Sequence, residues 1–93
     1  MIKSFKCKET EKVFNRTYSK NWSKEIQNLA FRKLRMLKNS QSLTDLRIPP
    51  SNRLEKLKGN RKDQYSIRIN DQWRICFTWQ HPDIYNVEIV DYH

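Results

Sequence analysis

The order of apolar and polar residues predicts one long helix in the first half of the chain. Ser23 is placed to cap this helix, and Glu25 falls in its first turn. Apolar side chains then recur every three or four positions, at Ile26, Leu29, Ala30, Leu34 and Leu37. Basic side chains surround that stripe, at Arg32, Lys33, Arg35 and Lys38. We expect the apolar face to enter the core and the basic face to be solvated.

Shorter elements flank the long helix. Residues 2–6 are expected to form a short edge strand, and residues 11–15 a short helix with Thr10 as its N-cap. Residues 43–46 predict one further helical turn, which must end before Pro49 and Pro50 because proline restricts the residue that precedes it.

The apolar period changes from helical to alternating in the second half of the chain. Strands are expected at residues 54–58, 65–70, 73–80 and 85–92, separated by links short enough for hairpins. Helices followed by an antiparallel meander predict an α+β fold, with the N-terminal helices packed on one face of a twisted antiparallel sheet. Its length of 93 residues fits a single domain spanning residues 1–93.

Alternation assigns each strand residue to one of two faces. The face toward the helices is expected to hold Tyr65, Ile67, Ile69, Trp73, Ile75, Phe77, Trp79, Tyr85, Val87 and Ile89. The opposite face is expected to be open, polar and basic, with Ser66, Arg68, Arg74, Cys76, Thr78, Glu88, Val90 and Tyr92. In the first strand, turning Leu57 inward places Lys56 and Lys58 on this open face.

Composition narrows the class of protein. With 37% hydrophobic and 12% aromatic residues the chain can build a core, and a formal net charge of +9 favours a polyanionic partner. Charge alone leaves nucleic acid, an acidic protein and a membrane surface open. No apolar run resembles a signal peptide or a membrane span, so we expect a cytoplasmic protein with no membrane contact.

The same inventory argues against a cofactor. Gly59 is the single glycine of the chain, so phosphate-binding loops that need two or more glycines are excluded. The four residues that could ligate zinc, Cys7, Cys76, His81 and His93, match no known zinc spacing, so no metal or other cofactor is expected.

The cations of the open face predict a phosphate site. Their mutual repulsion would be relieved by a bound phosphate, and the last three residues, Asp91, Tyr92 and His93, carry groups that can move protons. RNA can be cleaved without water or metal when its 2′-hydroxyl attacks the adjacent phosphate. Lys58 and Arg74 would then stabilise the added negative charge, Tyr92 or His93 would transfer protons, and Asp91 would orient them.

Six segments of the chain resemble the RelE/ParE superfamily of toxin-antitoxin toxins, in particular the HigB branch and its relative GraT. They are MIKSF at 1–5, LRIPP at 46–50, NRLE at 52–55, LKG at 57–59, YSIRINDQWRICFTW at 65–79 and VEIVDYH at 87–93. The resemblance implies the RelE-like microbial RNase fold and a toxin that cleaves messenger RNA in the ribosomal A site.

By the same resemblance, Lys58, Arg74, Asp91, Tyr92 and His93 match positions implicated in cleavage. We expect the RNA to contact Glu55, Lys56, Arg68 and Gln72. The chain departs from some relatives, which carry histidine in place of Glu55 and asparagine in place of Gln72, so the division of acid and base roles can differ here.

The resemblance also implies partners. A helix-turn-helix antitoxin of the HigA or GraA kind would neutralise the toxin, and operator DNA would be bound only through that antitoxin. Three aromatic residues off the main apolar stripe are expected at the antitoxin interface, namely Tyr18, Trp22 and Phe31.

Two other functions compete with RNA cleavage. A non-catalytic toxin like the ParE relatives would act on DNA gyrase by protein contact, and would tolerate changes at Tyr92 and His93. A basic nucleic-acid-binding co-repressor would explain the charge but would give the C-terminal tripeptide no purpose.

Overall fold

The computed structural model describes residues 1–59 and 63–91. Three helices come first, α1 (Lys8–Phe14), α2 (Lys24–Asn39) and α3 (Leu43–Arg47), followed by a 3₁₀ turn at Pro50–Asn52. Four strands complete the described chain, β1 (Glu55–Lys56), β2 (Gln64–Arg68), β3 (Trp73–Gln80) and β4 (Asp83–Asp91). They form one antiparallel sheet in the order β1-β2-β3-β4, so the predicted α+β class is confirmed.

Helix α2 begins where its capping residue predicts. The Ser23 hydroxyl accepts a hydrogen bond from Ile26 N at 3.2 Å, and the helix buries Ala30, Leu34 and Leu37 completely. Helix α3 has a capping box, in which the side chains of Ser42 and Asp45 each accept a bond from the other's backbone N–H. None of the described helices is long and apolar enough to cross a membrane.

Helix α1 starts three residues earlier than the sequence predicts. Its N-cap is Cys7, and Thr10 lies within the helix, fully buried. The Thr10 hydroxyl accepts a hydrogen bond from Ile89 N at 3.0 Å, so this side chain joins α1 to the sheet instead of capping the helix. The prediction of Thr10 as the N-cap is wrong because a tertiary contact uses its hydroxyl.

The first six residues run along β4. Ile2 and Phe5 form isolated parallel bridges with Ile84 and Val87, in place of the predicted continuous strand over residues 2–6. Backbone hydrogen bonds of 2.7 to 3.1 Å link this segment to residues 84 and 87. The segment therefore extends the sheet beside β4 at two points.

Two neighbouring strand pairs confirm the predicted faces. Ile67 lies opposite Ile75, and Ile75 lies opposite Ile89, all three within the core beneath the helices. On the other face Arg68 lies opposite Arg74.

A bulge in β4 changes its alternation. The register shifts between Cys76 and Thr78, and Asn86 adopts a left-handed conformation with φ of 55°. Tyr85 consequently pairs with Thr78 on the outer face, whereas Val87 enters the core. The prediction that Tyr85 shares the core face with Val87 is wrong, because one extra residue inverts the pattern.

Strand β1 is one residue out of the predicted frame. Glu55 lies opposite Ser66, and Lys56 lies opposite Tyr65, whose ring stacks on Phe77. Glu55, and not Lys56, therefore belongs to the outer face. The half-buried Leu54 and Leu57 are three positions apart, so no strict alternation could have buried both.

Trp22 is part of the core, whereas the other two residues predicted at the antitoxin interface are more exposed. Its side chain is buried and packs edge-on against Trp73, with ring centroids 6.1 Å apart. The prediction of Trp22 as an antitoxin contact is therefore wrong. Tyr18 is exposed, and Phe31 is half-buried beneath the Arg16 guanidinium, 4.0 Å from its ring centroid.

Candidate active site

A shallow polar pocket of about 250 Å³ opens where β2 ends and β3 begins. Three parts of the chain meet there: the segment after the 3₁₀ turn, the outer face of the sheet and the β2–β3 turn. The pocket is lined by Arg53, Glu55, Arg68, Asn70, Asp71 and Arg74. Three guanidinium groups and two carboxylates share this volume, so it suits an anionic ligand that can replace a carboxylate.

Arg74 forms the buried wall of the pocket. Its Nε donates to Ser66 Oγ at 2.9 Å, and its Nη2 donates to the carbonyl oxygens of Arg53 at 2.6 Å and Ser66 at 3.2 Å. Its Nη1 lies 3.9 Å from Glu55 Oε1. Only 4% of Arg74 is exposed, which contradicts the predicted solvated surface for this residue.

The burial of Arg74 has an electrostatic consequence. Its hydrogen bonds to Ser66 and Arg53 go to neutral oxygens, which fix the guanidinium plane without cancelling its charge. Glu55 is about half exposed, and its carboxylate opposes this charge from 3.9 Å. A low-dielectric wall strengthens the attraction between the fixed cation and an incoming phosphate.

Arg68 stands next to Arg74 and is held differently. Its Nη2 donates to Asp71 Oδ1, and the Asp71 side chain is almost fully exposed. An exposed ion pair is worth little, so Arg68 can exchange Asp71 for a phosphate at small cost.

The end of β4 lies beside the same turn. Asp91 pairs with Trp73 in the sheet, and its Oδ2 accepts a hydrogen bond from Gln72 Nε2 at 3.1 Å. The structure thus places Gln72 beside a predicted catalytic carboxylate. Tyr92 and His93, the remaining predicted proton-transfer residues, lie outside the described residues.

Asn70 shapes this turn, and no role at the site was predicted for it from the sequence. Its Oδ1 accepts hydrogen bonds from Gln72 N at 2.9 Å and Trp73 N at 2.8 Å. An Asn-Asp pair between two apolar strands is a turn signal, and it could have identified this residue.

Lys56 and Lys58 do not line the pocket. Lys58 is exposed and follows Leu57, whose N–H donates to Gln64 O at 2.9 Å. Gln64 lies opposite Thr78, which is four residues from Arg74 along β3, or about 13 Å of strand. The predicted arrangement, in which Lys58 and Arg74 meet one phosphate, is therefore not what the described residues form.

Lys33 and Asn52, two residues that do not line the pocket, are joined by a hydrogen bond. Lys33 Nζ donates to the Oδ1 of the fully buried Asn52. Burial lowers the pKa of Lys33 below its ordinary value, and the charge of Arg68 lowers it further. The prediction that Lys33 lies on the solvated face of α2 is wrong. Lys33 lies three positions after Ala30 and four before Leu37, a spacing that predicts contact with the core.

Elsewhere in the described part of the chain, the predicted site residues do not converge in this way. A larger cavity of about 490 Å³ lies near the β3–β4 turn, and none of the predicted site residues lines it. Within residues 1–59 and 63–91, no three His, Cys, Asp or Glu side chains are grouped to hold a metal ion.

Comparison with known sequences identifies related proteins. A family described as "RelE-like toxin of type II toxin-antitoxin system HigB" matches residues 3–93. Toxin HigB-1 of Vibrio cholerae is 54% identical over 54 residues, which are 58% of this chain and 57% of that toxin, so the match spans under two thirds of the relative's length. An uncharacterized protein of Haemophilus influenzae is 39% identical over 71 residues, which are 76% of this chain and 69% of that protein.

Solved structures share the fold. YafQ from E. coli strain BL21(DE3) superposes with a TM-score of 0.65 at 11% identity, covering 98% of this chain and 91% of YafQ. A chain of the YoeB-YefM complex from Staphylococcus aureus superposes with a TM-score of 0.62 at 24% identity, covering 100% of this chain and 95% of that one. At these identities the likeness supports the fold alone.

Proposed function

This chain belongs to the HigB family of RelE-like toxins of type II toxin-antitoxin systems, and from that premise we propose that it is a ribosome-dependent endoribonuclease. Its substrate would be messenger RNA in the ribosomal A site, and cleavage would stop translation. The observation that carries the proposal is the pocket at one end of the sheet, where Arg68 and Arg74 lie opposite each other. Asp91 ends β4 beside the first residue of β3, at the same end of the sheet.

The proposed reaction needs no group beyond the RNA and the protein. A base removes the proton of the 2′-hydroxyl, and the new O2′–P bond forms as the P–O5′ bond breaks. An acid then protonates the departing 5′-oxygen, which leaves a 2′,3′-cyclic phosphate. Charge on the phosphate oxygens rises in the transition state, so a fixed cation accelerates the reaction if it lies at those oxygens.

The residues divide these tasks in the proposal. Arg74 stabilises the phosphorane charge, and Arg68 binds the same or the adjacent phosphate after leaving Asp71. Asp91 orients the proton-transfer residues Tyr92 and His93, which follow it directly in the sequence. Lys58, two residues beyond the end of β1, contacts a neighbouring phosphate.

The same family membership supports a protein partner. The Staphylococcus aureus neighbour is a chain of a YoeB-YefM complex, which a second solved structure describes as toxin-antitoxin. We propose that this chain is likewise neutralised by an antitoxin, of the helix-turn-helix class that the sequence resemblance implies, and that it acts in the cytoplasm.

Mapping transcript ends after brief induction tests the proposal. Wild-type protein is expected to produce new ends within codons of translated messages. Tyr92→Phe should abolish these ends, whereas Tyr18→Phe, at an exposed tyrosine that does not line the pocket, should leave them unchanged.

Intact messages would contradict RNA cleavage. If they were accompanied by a DNA damage response, the gyrase-directed alternative would replace it. Intact messages together with repression of a target promoter would instead favour the co-repressor.

A further inference from the structure

We propose that Asn52 is a positioning residue for Arg74, linking α2 to the pocket through the 3₁₀ turn. The inference rests on the proposed function only for its effect on RNA cleavage. Its structural part, that Asn52 determines where the Arg74 guanidinium lies, stands on hydrogen bonds in the described chain.

The side chain and the backbone N–H of Asn52 both form hydrogen bonds. Its Oδ1 accepts from Lys33 Nζ, and its Nδ2 donates to Leu46 O at 3.0 Å and contacts Met36 Sδ at 3.0 Å. Its backbone N–H donates to Pro49 O at 3.0 Å, and none of the residue is exposed. A short amide side chain thus joins α2 and α3 to the 3₁₀ turn, and no other residue of its size could supply both an acceptor and two donors there.

Arg53, the next residue, connects the position of Asn52 to that of Arg74. Arg53 adopts a left-handed conformation, with φ of 43° and ψ of 56°, which is uncommon for a residue with a side chain. In this conformation the Arg53 carbonyl accepts the 2.6 Å hydrogen bond from Arg74 Nη2. The position of that carbonyl depends on the turn before it, and Asn52 holds the turn.

Two residues therefore supply the acceptors that orient Arg74, and they come from different parts of the fold. Ser66 belongs to the adjacent strand and moves with the sheet. The Arg53 carbonyl moves with the turn that Asn52 anchors to the helices. If the turn relaxes, Arg74 keeps its bonds to the two Ser66 oxygens but loses the 2.6 Å bond from Nη2 to the Arg53 carbonyl, which is the shortest of the three.

The side-chain N–H signals of Arg74 in a two-dimensional ¹H–¹⁵N NMR spectrum report this directly. We expect Asn52→Ala to shift and broaden the Arg74 signals, which Arg74→Lys identifies by their loss. Cleavage in a translation reaction should fall by up to about 100-fold, as expected when a reacting group is displaced by about 1 Å.

A matched control separates positioning from general loss of stability. Ser19 is also fully buried, and its hydroxyl donates to Glu9 at 2.7 Å, remote from the pocket. Ser19→Ala should lower the melting temperature while leaving the Arg74 signals and the cleavage rate unchanged. If Asn52 had a merely structural role, Asn52→Ala would likewise lower the melting temperature and leave the Arg74 signals unchanged.

Unchanged Arg74 signals in folded Asn52→Ala would overturn the proposal. If that variant does not fold, Lys33→Met decides by the same criterion, since it removes one bond of Asn52 and leaves the other two. If wild-type protein fails to cleave RNA, the proposed function is wrong, while the Arg74 signals still decide whether Asn52 positions that residue.

Discussion

Arg74 holds its charge in a buried setting because its N–H groups find acceptors. An arginine cannot neutralise itself by releasing a proton, so each buried donor needs a partner. Ser66 supplies two acceptors and the Arg53 carbonyl supplies one. Alternation predicted the face on which Arg74 lies, but its burial follows from the turn at Arg53, which leaves no periodic signal in the sequence.

Ser66→Ala tests the cost of removing one acceptor. The variant leaves Arg74 Nε without its side-chain partner, and we expect a loss of about 1.5 to 3 kcal/mol in unfolding free energy, as for other hydrogen bonds to charged groups. Urea denaturation measures this loss. Ser51→Ala, at an exposed serine, should change the unfolding free energy by less than about 0.5 kcal/mol. Equal stability of the two variants would contradict the role of Ser66.

Glu9 makes the unfolding free energy depend on pH in the acidic range. The Ser19 hydroxyl, and then Lys12, hold the pKa of Glu9 below its ordinary value of 4.5. The folded state therefore favours the charged carboxylate, so its contribution is present above the unfolded pKa and is lost as pH falls through the folded pKa. The difference in unfolding free energy between wild type and Glu9→Gln should be constant near neutral pH and shrink below pH 4.5. A difference that is independent of pH would contradict this assignment.

At the scale of elements, the long and regular ones were predictable and the short or interrupted ones were not. Helix α2 combines a capping residue with an apolar stripe, and the sequence of β3 alternates between the residues Trp73, Ile75, Phe77 and Trp79 of one face and the residues of the other. Strand β1 has only two residues, which is too short for alternation to predict which of them faces the core. The positions of Leu54 and Leu57 on either side of it decide this instead. The bulge at Asn86 inserts one residue into β4, and only the pairing with β3 reveals it.

Ser23→Ala tests the start of α2. Loss of the hydroxyl that accepts from Ile26 N should lower the unfolding free energy by about 1 kcal/mol. Ser23→Asp should retain most of the stability, because aspartate also caps helices and its charge favours the helix N-terminus. Thermal and urea unfolding measure both variants. An equal loss in the two variants would show that the cap does not stabilise α2.

At the scale of the whole molecule, the charge of +9 is spread widely while the candidate site is local. Alternation correctly predicted that Arg68 and Arg74 share a face, and the strand order brings Asp91 to the same end of the sheet. The contributions of Lys33 and Asn52 were not predicted, because they depend on how α2 packs against a turn close to it only in the folded chain.

Salt dependence of RNA binding separates local from spread charge. If Lys58 contacts a phosphate of single-stranded RNA, Lys58→Gln should reduce the slope of log K against log salt by about 0.7. Lys20→Gln removes an equal charge from an exposed residue of the α1–α2 loop and should leave the slope unchanged. Fluorescence anisotropy with a short oligonucleotide over a salt series measures both. Equal slopes for wild type and Lys58→Gln would remove Lys58 from the RNA contacts.

The segment beside β4 has a consequence for solubility. A strand at the margin of a sheet offers unpaired backbone groups to any other extended chain, and such pairing leads to aggregation. Here residues 1–6 occupy those groups at Ile84 and Val87, while β1 at the opposite margin is only two residues long. Without the amino-terminal segment, the longest strand of the described sheet would present its hydrogen-bonding groups to neighbouring molecules, and self-association would compete with the toxin's other encounters.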